Sequence, residues 1–284
     1  MATRYWLGGG GNKANDPNDW TPAGKPEPGD TLYLQGSDAS NSTINIYGGD
    51  VAGATIVTGY GPGPSQTTIN LDHNAVVNLT TLAQVSGEQS TTINTRRFDT
   101  LTETLNREAT QTINIGKGST LSLGLSETSF DNVTVNSAGH GALVAEGTVG
   151  QDEFSTLTIN APVIGSATFD VNGTTTFNGS VGSGDTVDLT NAFSDLQLNH
   201  PLQFIGSTHL SSGEIDLAGL TTADSYYLQN NELYLYAGNN IIESLNFVRT
   251  APFTAERTAT GVSIYTSDAA NPPAGTVLPL HFVQ

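Results

Sequence analysis

The sequence predicts an all-β chain folded as a parallel β-helix (a solenoid), with an N-terminal cap and a C-terminal antiparallel β meander. The prediction rests on short alternating apolar runs, on a motif that recurs every 20 to 25 residues, and on a change of character near residue 222. We expect the cap and first strand in 1–36, the coils in 37–222, the meander in 223–268, and a Pro-rich linker with an apolar tail strand in 269–284.

Composition favours β structure and excludes several classes of partner. Charged residues make up 13% of the chain and glycines number 32, which is typical of many short strands joined by tight turns. The formal net charge of −18 excludes nucleic acid, because nothing here neutralises a row of phosphates. No apolar run approaches the roughly 20 residues of a membrane-spanning helix, so we expect no membrane insertion. The absence of cysteine excludes disulfides and thiolate metal sites.

The recurring motif is a short strand that carries an asparagine between apolar residues. Its copies are STINIYG at 42–48, QTTINLD at 66–72, STTINTR at 90–96, QTINIGK at 111–117, and the weaker DNVTVNS at 131–137 and STLTINA at 155–161. Apolar residues alternate with Thr and Asn, so one set faces a core and the other faces solvent. Stacked copies bury apolar faces that no single copy buries alone. A sandwich or jelly roll is the alternative, and the nearly regular spacing disfavours it.

The residues that we expect to stack from coil to coil are Ile44 with Asn45, Ile69 with Asn70, Ile93 with Asn94, Ile113 with Asn114, Val135 with Asn136, and Ile159 with Asn160. The asparagines have two interpretations, which the sequence leaves open. They form an amide ladder along the outside, as in stacked β assemblies, or they stand at corners in the left-handed conformation.

Threonine precedes the apolar residue in these copies, at Thr43, Thr68, Thr92, Thr112, Thr134 and Thr158. A regular threonine ladder would suit ice binding. Because the intervals vary between 20 and 25 residues, we expect an uneven face, and ice binding is disfavoured.

The N-terminal segment reads as a cap for the open end of the solenoid, because unpaired strand edges need covering. Trp6 and Trp20 bracket a loop rich in Gly, Asn and Asp, and a turn-rich stretch then leads through Gly29 and Asp30 into a strand. The loop also offers oxygen ligands of the kind that Ca²⁺ takes; these are Asn12, Asn15, Asp16, Asn18 and Asp19. A turn-rich cap without metal is favoured over this calcium site, because neither common calcium-loop motif is present, and we expect no cofactor.

Residues 5–34 resemble the start of bacterial β-helical surface proteins, including autotransporter-type passengers. The resemblance lies in Trp6 followed by a Gly pair, in Trp20, and in the G-K-P-E-P-G-D run at 24–30. It implies an adhesive or matrix-forming protein that is extracellular or on the bacterial cell surface. The LYLYAGN segment at 233–239 is similar to secreted repeat proteins of alphaproteobacteria, which implies one-step export. That route fits an N-terminus without the apolar segment of a signal peptide.

The C-terminal part predicts hairpins and an edge strand. We expect turns at Asn230–Asn231 and around Gly238, and a further strand after Gly261. The tail TVLPLHFVQ carries four candidate self-assembly residues, Val277, Leu278, Leu280 and Phe282. Three interpretations remain open: a strand packed on its own domain, a secretion signal, or a strand added to the next molecule in head-to-tail assembly.

Candidate catalytic groups are sparse, so we expect no enzyme. Asp152–Glu153 is the one adjacent acidic pair and lies in a loop, the histidines are isolated, and residues 99–110 are the best candidate for a short helix or an excursion between coils. We therefore predict a secreted structural protein: an adhesin, a biofilm matrix component or a filament subunit. Its expected partners are copies of itself, extracellular polysaccharide or a cell surface. The alternative is a carbohydrate-binding or polysaccharide-active solenoid.

Overall fold

A computed structural model describes residues 1–7, 12–34, 42–58, 65–72, 74–82, 89–96, 99–106, 110–116, 119–125, 132–137, 142–151, 155–267 and 277–282. In this part of the chain the regular structure consists of 27 strands and two short 3₁₀ helices. The predicted parallel β-helix is confirmed.

The 3₁₀ helices span Pro17–Asp19 and Pro201–Gln203. The strands in chain order are β1 (Thr3–Trp6), β2 (Trp20–Thr21), β3 (Thr31–Tyr33), β4 (Ser42–Tyr47), β5 (Thr55–Thr58), β6 (Ser65–Asp72), β7 (Val76–Leu82), β8 (Gln89–Asn94), β9 (Thr100–Asn106), β10 (Thr110–Ile115), β11 (Thr120–Leu125), β12 (Asn132–Ser137), β13 (Ala142–Gly150), β14 (Thr156–Ile159), β15 (Val163–Val171), β16 (Thr174–Phe177), β17 (Thr186–Leu189), β18 (Asp195–Leu198), β19 (Ser207–Leu210), β20 (Glu214–Ala218), β21 (Ser225–Gln229), β22 (Glu232–Ala237), β23 (Asn240–Arg249), β24 (Phe253–Arg257), β25 (Gly261–Thr266), β26 (Val277–Pro279) and β27 (His281–Phe282).

The chain divides into two compact units, and the first comprises residues 1–144 with 160–162. Within it, each coil contributes one strand to each of two parallel sheets. One sheet has the order β3-β5-β7-β9-β11, and the other has the order β4-β6-β8-β10-β12. Successive coils are therefore hydrogen-bonded edge to edge on both sheets.

The core of the first unit is an aliphatic column. Strand pairing aligns Ile44 with Ile69, Ile69 with Ile93, Ile93 with Ile113, and Ile113 with Val135. Each of these five side chains is at most 1% exposed. Full burial of such a side chain is worth about 1.5–3 kcal/mol. The column thus supplies much of the energy that holds the coils together.

The N-terminal cap closes the first unit by pairing with β3 and β4. Strand β1 runs parallel to β3 and antiparallel to β2. The loop after β1 covers the free edge of β4: the amide of Asn45 donates to the carbonyl of Asn12 at 2.7 Å, and the amide of Ala14 donates to the carbonyl of Asn45 at 3.0 Å. Trp6 and Trp20 fill the interior of the cap as an edge-to-face pair with centroids 5.0 Å apart. These hydrogen bonds satisfy backbone groups that the open edge of the solenoid would otherwise leave unpaired.

The second unit comprises residues 145–159 with 163–284 and has the same two-sheet plan. Its parallel strands are β15-β17-β19 in one sheet and β14-β16-β18-β20 in the other. Ile159 lies here, fully buried in β14 and aligned with Phe177 of β16.

The predicted antiparallel meander closes the second unit on both sheets. Strand β23 pairs with β19 and carries β22 and β21 beside it, while β25 pairs antiparallel with β20 and carries β24. Asn230 and Asn231 have φ of 52° and 62°, the values of a two-residue hairpin turn between β21 and β22.

The expectation of a helix or excursion at 99–110 was wrong for Thr100–Asn106, which forms strand β9, and residues 107–109 lie outside the described residues. Strand β9 pairs in parallel register with β7 and β11. Leu101 lies between Val77 and Leu121 in this register and is 0% exposed. Burial of the leucine in the stacked core overrides the weak helical character of the segment.

Candidate functional site

The recurring asparagines form a continuous side-chain ladder on the first unit. The Nδ2 of each donates to the Oδ1 of the asparagine one coil earlier: Asn70 to Asn45 at 2.9 Å, Asn94 to Asn70 at 2.9 Å, Asn114 to Asn94 at 2.8 Å, Asn136 to Asn114 at 3.0 Å, and Asn160 to Asn136 at 2.7 Å. Non-glycine residues with positive φ in the described chain are Asn12, Asn74, Asn230 and Asn231. The corner interpretation therefore does not describe the six ladder asparagines.

The ladder leaves hydrogen-bonding capacity at its interior rungs, Asn70, Asn94, Asn114 and Asn136. An asparagine amide has two N–H donors and an oxygen with two lone pairs. An interior rung such as Asn94 donates one N–H and accepts one hydrogen bond within the ladder. One donor and one acceptor site at each interior rung therefore remain for solvent or a ligand, on a side chain whose orientation the ladder has fixed.

Three of the five candidate calcium ligands in the N-terminal loop, Asn15, Asp16 and Asn18, make side-chain hydrogen bonds within the protein. Asp16 caps the first 3₁₀ helix by accepting from the backbone amide of Asn18 at 2.9 Å, and Asn15 donates to Asp50 at 3.0 Å. Asp19 is 3% exposed, and burial together with the neighbouring Asp16 raises the pKa of its carboxyl. Across the described ranges, no three His, Cys, Asp or Glu side chains converge to hold a metal ion.

Asp30, from the Gly-Asp pair of the sequence motif, is the structural centre of the cap. Its carboxylate accepts from Arg4 Nε at 2.9 Å, from the Ala2 amide at 2.5 Å and from the Glu27 amide at 3.1 Å. The Arg4 guanidinium and these backbone donors hold the pKa of Asp30 below its ordinary value. This part of the motif serves the fold rather than a ligand.

The predicted self-assembly residues lie on their own domain in this chain. Strand β26 pairs antiparallel with β21, aligning Leu278 with Tyr226 and Val277 with Tyr227. Leu280 is buried and its amide donates to the carbonyl of Asp224 at 2.8 Å, whereas Val277 is 57% exposed. The backbone of Phe282 pairs with Arg257, and its side chain falls outside the described residues. The tail thus occupies the edge of β21.

A cleft in the second unit, lined by both polar and apolar residues, was not found by sequence reasoning. It has a volume of about 340 Å³, and its polar lining comprises Gln197, Asn199, Asp216, Thr258 and Thr260. These residues come from β18 and the position after it, from β20, and from the β24–β25 turn, which are far apart in sequence. The sequence pattern that could have indicated the cleft is the strand alternation in DLQL and EIDLA, which predicts that Gln197 and Asp216 face outward.

Asp216 stands among other carboxylates. Glu214 precedes it on β20, and the strand register aligns Glu214 with Asp195. Burial, and then the negative charges of Glu214 and Asp195, raise the pKa of Asp216 to about 6. Burial also raises the pKa of Asp195. The side chain of Ser263 donates to Glu214 across the junction with β25.

Comparison with protein-family models, with curated proteins and with solved structures finds no significant match to this chain. In the residues that the structure describes, no helix is long and apolar enough to span a membrane.

Proposed function

We propose that this chain is a secreted structural protein that acts at a cell surface or in an extracellular matrix. The observation that carries the proposal is the asparagine ladder, in which one side-chain hydrogen bond repeats over five coil-to-coil steps. A surface row devoted to bonding between coils stiffens a scaffold in a way that a single binding pocket does not require. Secretion rests on the resemblance of residues 5–34 to bacterial surface solenoids.

Localisation tests this proposal directly. Cells that express the chain are separated into culture medium, surface-released and intracellular fractions, and the protein is detected with an antibody. We expect it in the medium or released from the surface by mild protease. Retention of all of the protein inside cells with an intact export system would contradict the proposal.

Self-assembly through the tail is part of the proposed function. Strand β26 makes three aligned pairs with β21 at the edge of the sheet. The same hydrogen bonds form when the tail of one molecule pairs with β21 of the next, which links molecules head to tail. Such an exchange needs no new contact surface.

Deletion of residues 277–284 tests assembly. Sedimentation velocity and electron microscopy of the full chain should show oligomers or filaments that grow with concentration, and the deletion should abolish them. Val277→Thr is the matched control, because it keeps the β-branched shape at an exposed position and should assemble as the full chain does. Oligomers of unchanged size after the deletion would show that the tail does not mediate assembly.

Carbohydrate binding is the second candidate function, and the cleft around Asp216 favours it. Amide, hydroxyl and carboxylate groups are suited to hydrogen-bond sugar hydroxyls. The carboxylates beside the cleft disfavour anionic sugars. A glycan array followed by calorimetry should show binding that Asp216→Asn and Thr260→Val weaken. Asp170→Asn, an acid on the other sheet, is the control. Equal binding by the unaltered chain and the three variants would exclude the cleft as the carbohydrate site.

A further inference from the structure

The first unit presents two parallel columns of uncharged polar side chains on the sheet formed by β4, β6, β8, β10 and β12. Strand register aligns Thr43, Thr68, Thr92, Thr112 and Thr134 in one column. Asn45, Asn70, Asn94, Asn114 and Asn136 form the other. The expectation of an uneven face was wrong, because the varying residues fall between the strands and leave the pairing register unshifted.

The spacing of this Thr–Asn face is set by the backbone. Neighbouring strands lie about 4.8 Å apart, and residues two apart along a parallel strand lie about 6.6 Å apart. The face is therefore a two-dimensional grid of hydroxyl and amide groups. A grid of this kind suits a partner that is itself periodic, in contrast to the single cleft beside Asp216.

The groups on the grid are held in place before any partner arrives. The ladder fixes each asparagine amide while leaving a donor and an acceptor site free at the interior rungs. Threonine is β-branched and therefore restricted at χ1, and all five threonines are half-buried. Binding then costs little side-chain ordering entropy.

The charge of the grid points to a neutral partner. The chain carries a net charge of −18, yet neither column contains an ionisable residue. Within the described residues of β4, β6, β8, β10 and β12 and directly after them, charge appears in the next column, where Arg96 bonds Asp72 at 3.3 Å and the exposed Tyr47 is aligned with Asp72. The two columns themselves contain no aromatic ring, so they offer no flat apolar face on which a sugar ring could stack. Crystalline water is a periodic, neutral partner of this kind, because its surface offers hydrogen-bond donors and acceptors at regular spacing.

We propose that the Thr–Asn face of the first unit binds ice. Waters bonded to the available amide groups of the interior asparagines and to the threonine hydroxyls would form regular rows about 4.8 Å apart. A regular array of bound water is what a growing ice surface can join. Ice binding is additional to the proposed structural role, and a test that contradicts one of the two functions leaves the other unaffected.

Ice recrystallisation inhibition and thermal hysteresis of the purified full chain test the proposal. We expect the unaltered chain to inhibit ice growth and Thr92→Tyr, in the middle of the face, to lose the inhibition because the ring holds the lattice away. Thr68→Tyr repeats the test at another rung should the first variant fail to fold, as judged by circular dichroism. Thr55→Tyr, exposed on the other sheet, is the matched control.

Each outcome of the ice-growth measurements either supports or contradicts the proposal. Loss of inhibition in a folded Thr92→Tyr or Thr68→Tyr variant, with inhibition retained by Thr55→Tyr, supports the ice-binding face. Absence of inhibition by the unaltered chain overturns the proposal. Equal inhibition by all four proteins overturns it as well, because the activity would then lie elsewhere.

Discussion

Replacing Asn94 by alanine removes the centre of the asparagine ladder. Two side-chain hydrogen bonds disappear, the 2.9 Å bond to Asn70 and the 2.8 Å bond from Asn114. A hydrogen bond contributes about 0.5–1.5 kcal/mol net to stability, so we expect Asn94→Ala to lower the free energy of unfolding by about 1–3 kcal/mol. Asn45 contributes one ladder bond, and Asn45→Ala should cost about half as much.

The control is Asn78→Ala, which makes the same change on β7 at an exposed position. Asparagine is disfavoured in strands, so this change should be neutral or slightly stabilising. Urea unfolding gives the free energies, and hydrogen exchange of the β8 and β10 amides shows whether the loss is local. Asn70→Ala combined with Asn94→Ala should cost less than the sum of the single changes, because the two residues share a bond. Equal effects for Asn94→Ala and Asn78→Ala would refute the energetic role of the ladder.

Three further predictions concern the core, the C-terminal cap and pH. Ile93→Ala should cost about 2–5 kcal/mol in urea unfolding, because it leaves a cavity in the aliphatic column; a change no larger than that of Thr92→Ala would contradict this. Gly261→Val should speed hydrogen exchange in β25, since a Cβ there would meet the Leu217 carbonyl oxygen at 1.9 Å. Gly49→Ala, with no atom within 4 Å of the added Cβ, is the control. Because the pKa of Asp216 is raised to about 6, the folded state binds more protons than the unfolded state between about pH 4 and pH 6. The free energy of unfolding should therefore fall as pH rises through that range. Melting temperatures across that range should show a flatter profile for Asp216→Asn, and an unchanged slope would refute the assignment.

The repeat could be predicted from sequence because strand alternation and coil stacking use the same residues. In Ile44–Asn45 and its copies, the side chain that faces the core also marks the register, so aligning the motifs aligns the strands. The varying intervals did not disturb this, since the register is fixed by burial of the isoleucines. The expectation of an uneven threonine face was wrong for the same reason: the intervals reflect loop length, and loop length does not shift the strand register.

Other features depend on contacts that no local pattern encodes. Leu101 and Leu105 are four residues apart, a spacing that fits one face of a helix and also alternate positions of a strand. Only the neighbours in β7 and β11 decide between the two. The cleft joins Gln197, Asp216 and Thr260, which meet only because β25 pairs antiparallel with β20. The raised pKa of Asp216 follows from this assembly and could not be read from the sequence.

Successive coils lie directly on one another in a fixed register. The chain has no cysteine, so an engineered cysteine pair tests this register without interference. Residues 68 and 92 are aligned on adjacent strands, about 4.8 Å apart, which is within disulfide reach. Residues 68 and 112 are two strands apart, beyond that reach. Thr68→Cys with Thr92→Cys should oxidise rapidly to an intramolecular disulfide, and Thr68→Cys with Thr112→Cys should not. Equal oxidation of the two pairs, or none in the first, would contradict the stacked register.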